Sequence, residues 1–494
     1  MTFFTALGER HECTLQPLSA AAIPASVTRG ARLAAGSVVA AFDPQKLAGT
    51  VRASPVLSSR ASDPSRLALV RIAPAGAAAA ATAAAPTGSL TLATETVIAE
   101  GLRQADLAAA RNAGARLVEE GLDGKVLLRV DSVDRAFALA ELLQAREVGS
   151  VSPNFLRRII RPARSAASAA WAHVRIGVAN AWKTTKGTAG VRVAVLDEGV
   201  DTRHPALKAA VVAERDFIGG NGASAMPSGD DAHGTACAGI VLSRDKTYPG
   251  IAPRCSLIAV RIAMDDGSGG WVFDDYATAD AIDWSWRQGA DVLSNSWGGG
   301  APNDAISRAF ARARTQGRKG KGSLVAIAAT NEQRAISFPG SLPGYVTVGA
   351  STPKDERKTK TSSDGENWWG SNYGPALSLL APGVFIWTSD ISGAAGYEPG
   401  NFTKTFNGTS SATPHVAGAA ALMLSANPTL SAPTVRTLLG QTAKRIQGQT
   451  GWTPELGWGR LDVAKAVAAA KAAGPAARPK ASGSKSRGRA RGRG

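Results

Sequence analysis

Three short segments of this chain hold residue types that together could transfer an acyl group to a serine. Val193-Ala194-Val195-Leu196-Asp197-Glu198-Gly199 ends an apolar run on carboxylates. His233-Gly234-Thr235-Ala236-Cys237-Ala238-Gly239 sets an imidazole among small residues. Asn407-Gly408-Thr409-Ser410-Ser411-Ala412-Thr413-Pro414-His415 offers hydroxyls beside a glycine and a second imidazole. A hydroxyl nucleophile needs an imidazole to take its proton, and the imidazole needs a carboxylate to fix its tautomer. Asp197, His233 and Ser410 are candidates for these parts, with Asp201, His415 and Ser411 as nearby rivals. Asn331 follows the run Val325 to Thr330, and its amide is a neutral donor suited to an oxyanion that exists only in the transition state.

Such groups must be delivered to one place by rigid elements. Val191–Leu196, Leu257–Ile262, Val292–Ser296, Leu324–Ala329 and Tyr345–Ala350 are short apolar runs bounded by turn residues, the pattern of buried parallel strands. Phe273–Gln288, Asn303–Gln316 and Thr413–Ala426 have helical spacing between or after them. The alternation predicts an α/β fold with a doubly wound, mostly parallel sheet and the site at the carboxyl ends of its strands. Asp197, at the end of its run, would reach that edge.

In the order Asp, His, Ser, the three segments resemble those of the subtilisin-like serine proteases (subtilases). The resemblance runs from about Ile176-Gly177-Val178 to Gly457-Trp458-Gly459-Arg460-Leu461-Asp462. It implies a serine endopeptidase with Asp197, His233 and Ser410 as triad, Asn331 in the oxyanion hole, and His415 as a non-catalytic histidine. It also implies that Ser296, Trp297 and Gly298 form an edge segment and one wall of the first specificity pocket. Ala328, Ala329 and Thr330 would form the opposite wall, with Ser337 near the floor and an apolar or aromatic preference as the default. Trp297 would fill either a neighbouring pocket or the core. The chain departs from the family at Glu198, where Thr or Ser is usual, at Thr330, where Gly is usual, and at Ser411, where a larger residue is usual. These departures motivate the alternative of an inactive peptide-binding scaffold. No cofactor is expected to be required. Family members often bind structural calcium, for which Asp216, Asp230 and Asp231 are the oxygen ligands available, though solvated loop carboxylates are the simpler reading.

The remaining sequence suggests five regions. Residues 1–112 are poorly defined and include an alanine-rich run from Ala75 to Pro86; residues 113–158 read as a small α+β unit placed like a subtilase propeptide. Residues 159–170 are a basic linker, 171–470 the catalytic domain, and 471–494 a tail of Lys, Arg, Gly and small residues expected to be disordered. The chain has 494 residues, a net charge of +17 and three cysteines, too few for a disulfide framework. The tail suggests contact with polyanions beside the protein or peptide substrates. No apolar run long enough to span a membrane and no signal-peptide pattern is present, which favours a cytoplasmic location.

Overall fold

The computed structural model describes residues 2–17, 32–33, 37–38, 67–72, 89–160, 171–219, 222–266 and 270–474, with a few single positions between 47 and 57. The alanine-rich run, most of the basic linker and residues 475–494 of the tail lie outside the described residues. Strands β1 (Thr2–Ala6), β2 (Glu9–Pro17) and β3 (Ala68–Ile72) precede an α+β unit. That unit runs β4 (Ser89–Glu100), α1 (Gln104–Asn112), β5 (Arg116–Glu120), β6 (Lys125–Arg129), α2 (Val133–Gln144), β7 (Ser150–Ile160). It therefore begins upstream of residue 113, and β7 runs on past residue 158. Residues 91–100 of β4 are all buried, including Thr94, Glu95 and Thr96, so they show no alternation by which a half-buried strand could be recognised. Helix α2 starts where its cap demands, with Ser132 accepting the Arg135 N–H at 3.3 Å.

The second part contains β8 (Arg192–Asp197), β9 (Val211–Asp216), α3 (His233–Leu242), β10 (Ser256–Arg261), β11 (Ala263–Asp265) and β12 (Gly270–Asp274). Next come α4 (Asp275–Arg287), β13 (Val292–Asn295), α5 (Asp304–Gln316), β14 (Leu324–Ala328), β15 (Val346–Ser351) and β16 (Leu377–Pro382). It closes with the hairpin β17 (Ile386–Gly393) and β18 (Gly400–Phe406), then α6 (Thr409–Ala426), α7 (Ala432–Thr442) and α8 (Val463–Ala472). Seven strands form a wholly parallel sheet in the order β9-β10-β8-β13-β14-β15-β16. The apolar runs supply five of them. The edge strands β9 and β16 escape the pattern because one is half-exposed and carries Glu214 and Arg215, and the other ends on Pro382.

Period-two geometry divides β8 between two cores. Val193 and Val195 face α3, α6 and α8, while Ala194 and Leu196 face α4 and α5. From β8 the chain fills β9 and β10 on one side and then crosses to β13 on the other. This order reversal opens a crevice at the carboxyl end of β8, where α/β sheets place their ligands. Asp197 is the last residue of that strand.

Strand β7 pairs antiparallel with β12, from Leu156 opposite Asp274 to Ile160 opposite Gly270. The N-terminal strands thus share one antiparallel sheet with β11 and β12, two strands of the second part. Buried charges fasten the same face. The Arg157 guanidinium donates to both Asp275 oxygens at 2.5 and 3.0 Å and to the carbonyls of Gly299 and Ala301 at 2.6 and 2.7 Å. Lys125, fully buried, lies 2.5 Å from Asp280 and 3.5 Å from Asp283. Removing one member of a buried pair strands the other in a low dielectric. Arg157→Ala in the full-length chain is therefore expected to destabilise docking of the N-terminal unit by about 3–5 kcal/mol, with Arg157→Lys intermediate because it loses the bidentate fork. Urea titration with probes in each part would read this, and equal midpoints for all three proteins would contradict it.

Candidate active site

Three elements converge on His233. Asp197 arrives at the end of β8, His233 is the first residue of α3, and Ser410 is the second residue of α6. Asp197 Oδ1 accepts the Nδ1 proton of His233 at 2.8 Å and the backbone N–H of Glu198 at 2.9 Å. Both side chains are almost wholly buried. Burial alone would lower the His233 pKa, but the charge of Asp197 and the hydrogen bond to it hold it well above the ordinary value of 6.5. The imidazole is thereby strengthened as a base.

The departure at Glu198 does not point to solvent. Its carboxylate is buried and accepts the backbone N–H of His233 at 2.7 Å, satisfying one of the orphan donors at the start of α3. Asp197 thus holds the ring of His233 while Glu198 holds its backbone. The ring is flanked by Trp271 at 4.9 Å and Phe406 at 5.3 Å between centroids. Cys237, one turn along α3, lies with Sγ 3.8 Å from His233 Nδ1 and 3.5 Å from the Ser410 carbonyl, tying α3 to α6. Burial pushes this thiol up to about 11, so it remains protonated. None of these three flanking contacts could be read from the sequence, because each comes from an element remote from His233 or from a residue that looks like ordinary core.

Gly408 precedes α6 with a φ of +108°, a conformation that glycine adopts without strain. The Ser410 hydroxyl donates to the Ser296 carbonyl at 3.2 Å, while His233 Nε2 has no hydrogen-bond partner among the described residues. Ser411 Oγ is turned back onto the Gly408 carbonyl at 2.8 Å and is fully buried. His415 is likewise committed: its Nδ1 donates to the Ser411 carbonyl at 2.8 Å, and burial pushes its pKa down to about 3. Asn331 Oδ1 accepts the Thr409 N–H at 2.8 Å and the Thr409 hydroxyl at 3.1 Å. With its oxygen spent, the carboxamide is left with its N–H₂ as the free function beside α6.

The two expected pocket walls face each other. A Cβ added to Gly298 would stand 2.9 Å from Thr330 Cγ2 and 3.8 Å from the Ala328 carbonyl. Ser296 lies beside Ser410, and Ala329 is buried behind the wall. Of the two places open to Trp297 the side chain takes the core, packed between Phe273 and Phe310, so only its backbone can belong to a substrate-binding edge. The carboxylates of Asp216 and Asp231 converge on the Arg261 guanidinium at 3.4 and 3.7 Å. A cationic side chain already stands between them, so these residues do not fit a calcium site; Asp230 is exposed.

The family described as "Subtilase family" has a sequence model that matches residues 188–459. Thermitase of Thermoactinomyces vulgaris is 33% identical over 298 residues, covering 59% of this chain and 94% of that protein. Subtilisin DY of Bacillus licheniformis is 34% identical over 266 residues, 52% of this chain and 85% of that one. A calcium-dependent protease of a Nostoc species is 32% identical over 328 residues, 58% of this chain, and the match spans only 47% of that relative's length. Among solved structures, fervidolysin from Fervidobacterium pennivorans, a keratinolytic enzyme related to subtilisin, aligns over 76% of this chain and 61% of its own. Its TM-score is 0.60 at 21% identity, a likeness of fold.

The histidine assignments have opposite pH signatures. His233, with its raised pKa, adds stability that is complete below about pH 6.5 and is lost as the pH rises through the folded value. His415 does the reverse: the unfolded chain takes up a proton near 6.5 that the folded chain refuses until about 3, so stability falls across that window on acidification. Histidine NMR titration should show one ring still protonated above its ordinary range and His415 neutral down to about pH 4. His415→Asn should flatten the acid limb of stability, and an unchanged limb would refute the assignment.

Proposed function

The chain belongs to the subtilase family, and on that premise we propose that it is a serine endopeptidase working through an acyl-enzyme on Ser410. The observation that carries the reading is the buried Asp197–His233 hydrogen bond, with the first turn of α6 set against it. Ser410 Oγ rotates from the Ser296 carbonyl to His233 Nε2 when a peptide occupies the groove, and attacks the scissile carbonyl as Nε2 takes its proton. Asp197 stabilises the resulting imidazolium and holds Nδ1 protonated. The oxyanion meets the Ser410 N–H, which has no acceptor within the first turn of α6, and the amide of Asn331. The imidazolium then protonates the leaving amine, and water repeats the sequence to release the acid. Every proton transfer and charge in these steps is handled by side chains and backbone groups of the chain itself.

The N-terminal unit acts in this reading as a propeptide. Support comes from β7, which runs along β12 past Phe273 and Trp271 toward His233. Because Arg157 is buried and β7 continues to Ile160, cleavage is expected after β7 and before Trp171, within residues 161–170.

A fluorophosphonate probe should label the mature wild type on Ser410. Ser410→Ala should lose labelling and hydrolysis and stay full length, while wild type shortens to a chain starting within 161–170. Ser411→Ala should keep substantial activity, since its hydroxyl serves only Gly408. Absence of labelling under conditions that label a control protease would overturn the reading; identical shortening of Ser410→Ala would assign the cut to another protease. Separately, Asn331→Ala should lower kcat by roughly 10²–10³ with little change in KM, the effect that loss of the oxyanion-hole asparagine has in subtilisin itself. A loss confined to KM would make Asn331 a ground-state contact instead.

A further inference from the structure

Thr330 occupies a position where its side chain decides how wide the first specificity pocket can be. It follows β14 on one wall, and Gly298 stands across from it on the other. The γ-methyl of Thr330 already reaches that opposite wall, since a Cβ on Gly298 would meet it at 2.9 Å. The Phe338 carbonyl lies 3.6 Å from the same point and accepts the Gly299 N–H at 2.7 Å, tying this segment to the Gly298 wall.

This methyl cannot swing away cheaply. Thr330 Oγ1 donates to Glu332 Oε2 at 2.8 Å and accepts from Asn372 Nδ2 at 2.7 Å. The backbone is pinned as well: Thr330 N–H donates to Thr409 Oγ1 at 3.1 Å, and its carbonyl accepts from Asn372 N–H at 2.9 Å. With the hydroxyl fixed on Glu332 and Asn372, the other branch of the side chain is committed toward Gly298. The residue also has a φ of +74°, a left-handed conformation that a β-branched side chain enters at a cost. A strained residue with both ends tethered is held there by its surroundings.

We propose that Thr330 closes the first specificity pocket to large side chains, so that this chain cleaves polypeptides after Gly, Ala or Ser and not after aromatic or long apolar residues. The proposal rests on the serine endopeptidase reading and reverses the preference expected from sequence alone. A side chain as large as Phe can enter only by displacing the Thr330 methyl and breaking the hydrogen bonds that orient it.

The test uses mature enzyme and one series of acyl-tetrapeptide nitroanilides that differ only in ending on Ala, Leu or Phe. Wild type should prefer Ala to Phe in kcat/KM by at least about tenfold. Thr330→Gly removes the side chain and the backbone strain together, and should raise the Phe-to-Ala ratio of kcat/KM by about 10–100-fold. Thr330→Ser keeps the hydroxyl and its partners but lacks the methyl. It should recover much of the gain for Phe, which a general loosening of the loop would not produce. A wild type that prefers Phe, or a Phe-to-Ala ratio unchanged in both variants, would overturn the proposal. A second arm needs no catalysis: in Ser410→Ala, calorimetry with acyl-tripeptide acids ending in Ala or Phe should show Ala bound in preference, and the Thr330→Gly double variant should gain Phe. If wild type neither labels nor hydrolyses, the endopeptidase reading fails while this binding ratio still decides the role of Thr330.

Discussion

A charged hydrogen bond buried away from water is the constraint around which the second part of the chain is organised. Ionised groups in a low dielectric are costly unless they are paired and hydrogen-bonded. Asp197 accepts both the His233 ring and the Glu198 N–H, and Glu198 accepts the His233 N–H. The carboxylates therefore come from adjacent residues at the end of one strand, and the imidazole comes from the first turn of a helix. That geometry is available only where a parallel strand stops and a crossover begins, at the order reversal beside β8. The two apolar cores on either side of the sheet keep strand and helix from shifting relative to each other.

The same logic governs the join between the two parts of the chain. Arg157 and Lys125 are buried cations in the N-terminal unit, and their carboxylate partners lie on α4. Asp275 shows the tension directly: burial pushes its carboxyl up to about 6, with Arg157 pulling against that shift. Asp274 ends β12, caps α4 through the Ala277 N–H and accepts from Asn154 of β7, so one side chain couples sheet pairing, helix start and docking. A strand pairing alone could slip in register. Fixed charges on both sides of it make the register specific.

Three departures from the family pattern acquire different meanings in space. Glu198 is part of the support for His233, Ser411 bonds back to a carbonyl of its own helix turn, and Thr330 is a filler between two walls. All three are polar substitutions beside the site, and by residue type they are indistinguishable. What separates them is the partner each finds: a helix N–H, a carbonyl three residues back, or a glycine across a slot.

The sequence by itself carried the parallel strands β8, β10, β13, β14 and β15, the helices α4, α5 and α6, and the candidates Asp197, His233, Ser410 and Asn331. Buried strands are continuous apolar runs bounded by turns, and catalytic groups sit at their ends, so both are local signals. The half-exposed β9, the polar buried β4 and the strands of the N-terminal hairpin were not legible, because their burial depends on partners distant in the chain. The core position of Trp297, the commitment of Asp216 and Asp231 to Arg261, and the reach of Thr330 to Gly298 were decided only by the tertiary structure. Each is a contact between residues far apart in sequence, and a side chain's type fixes what it can bond but not which neighbour the fold will bring within reach.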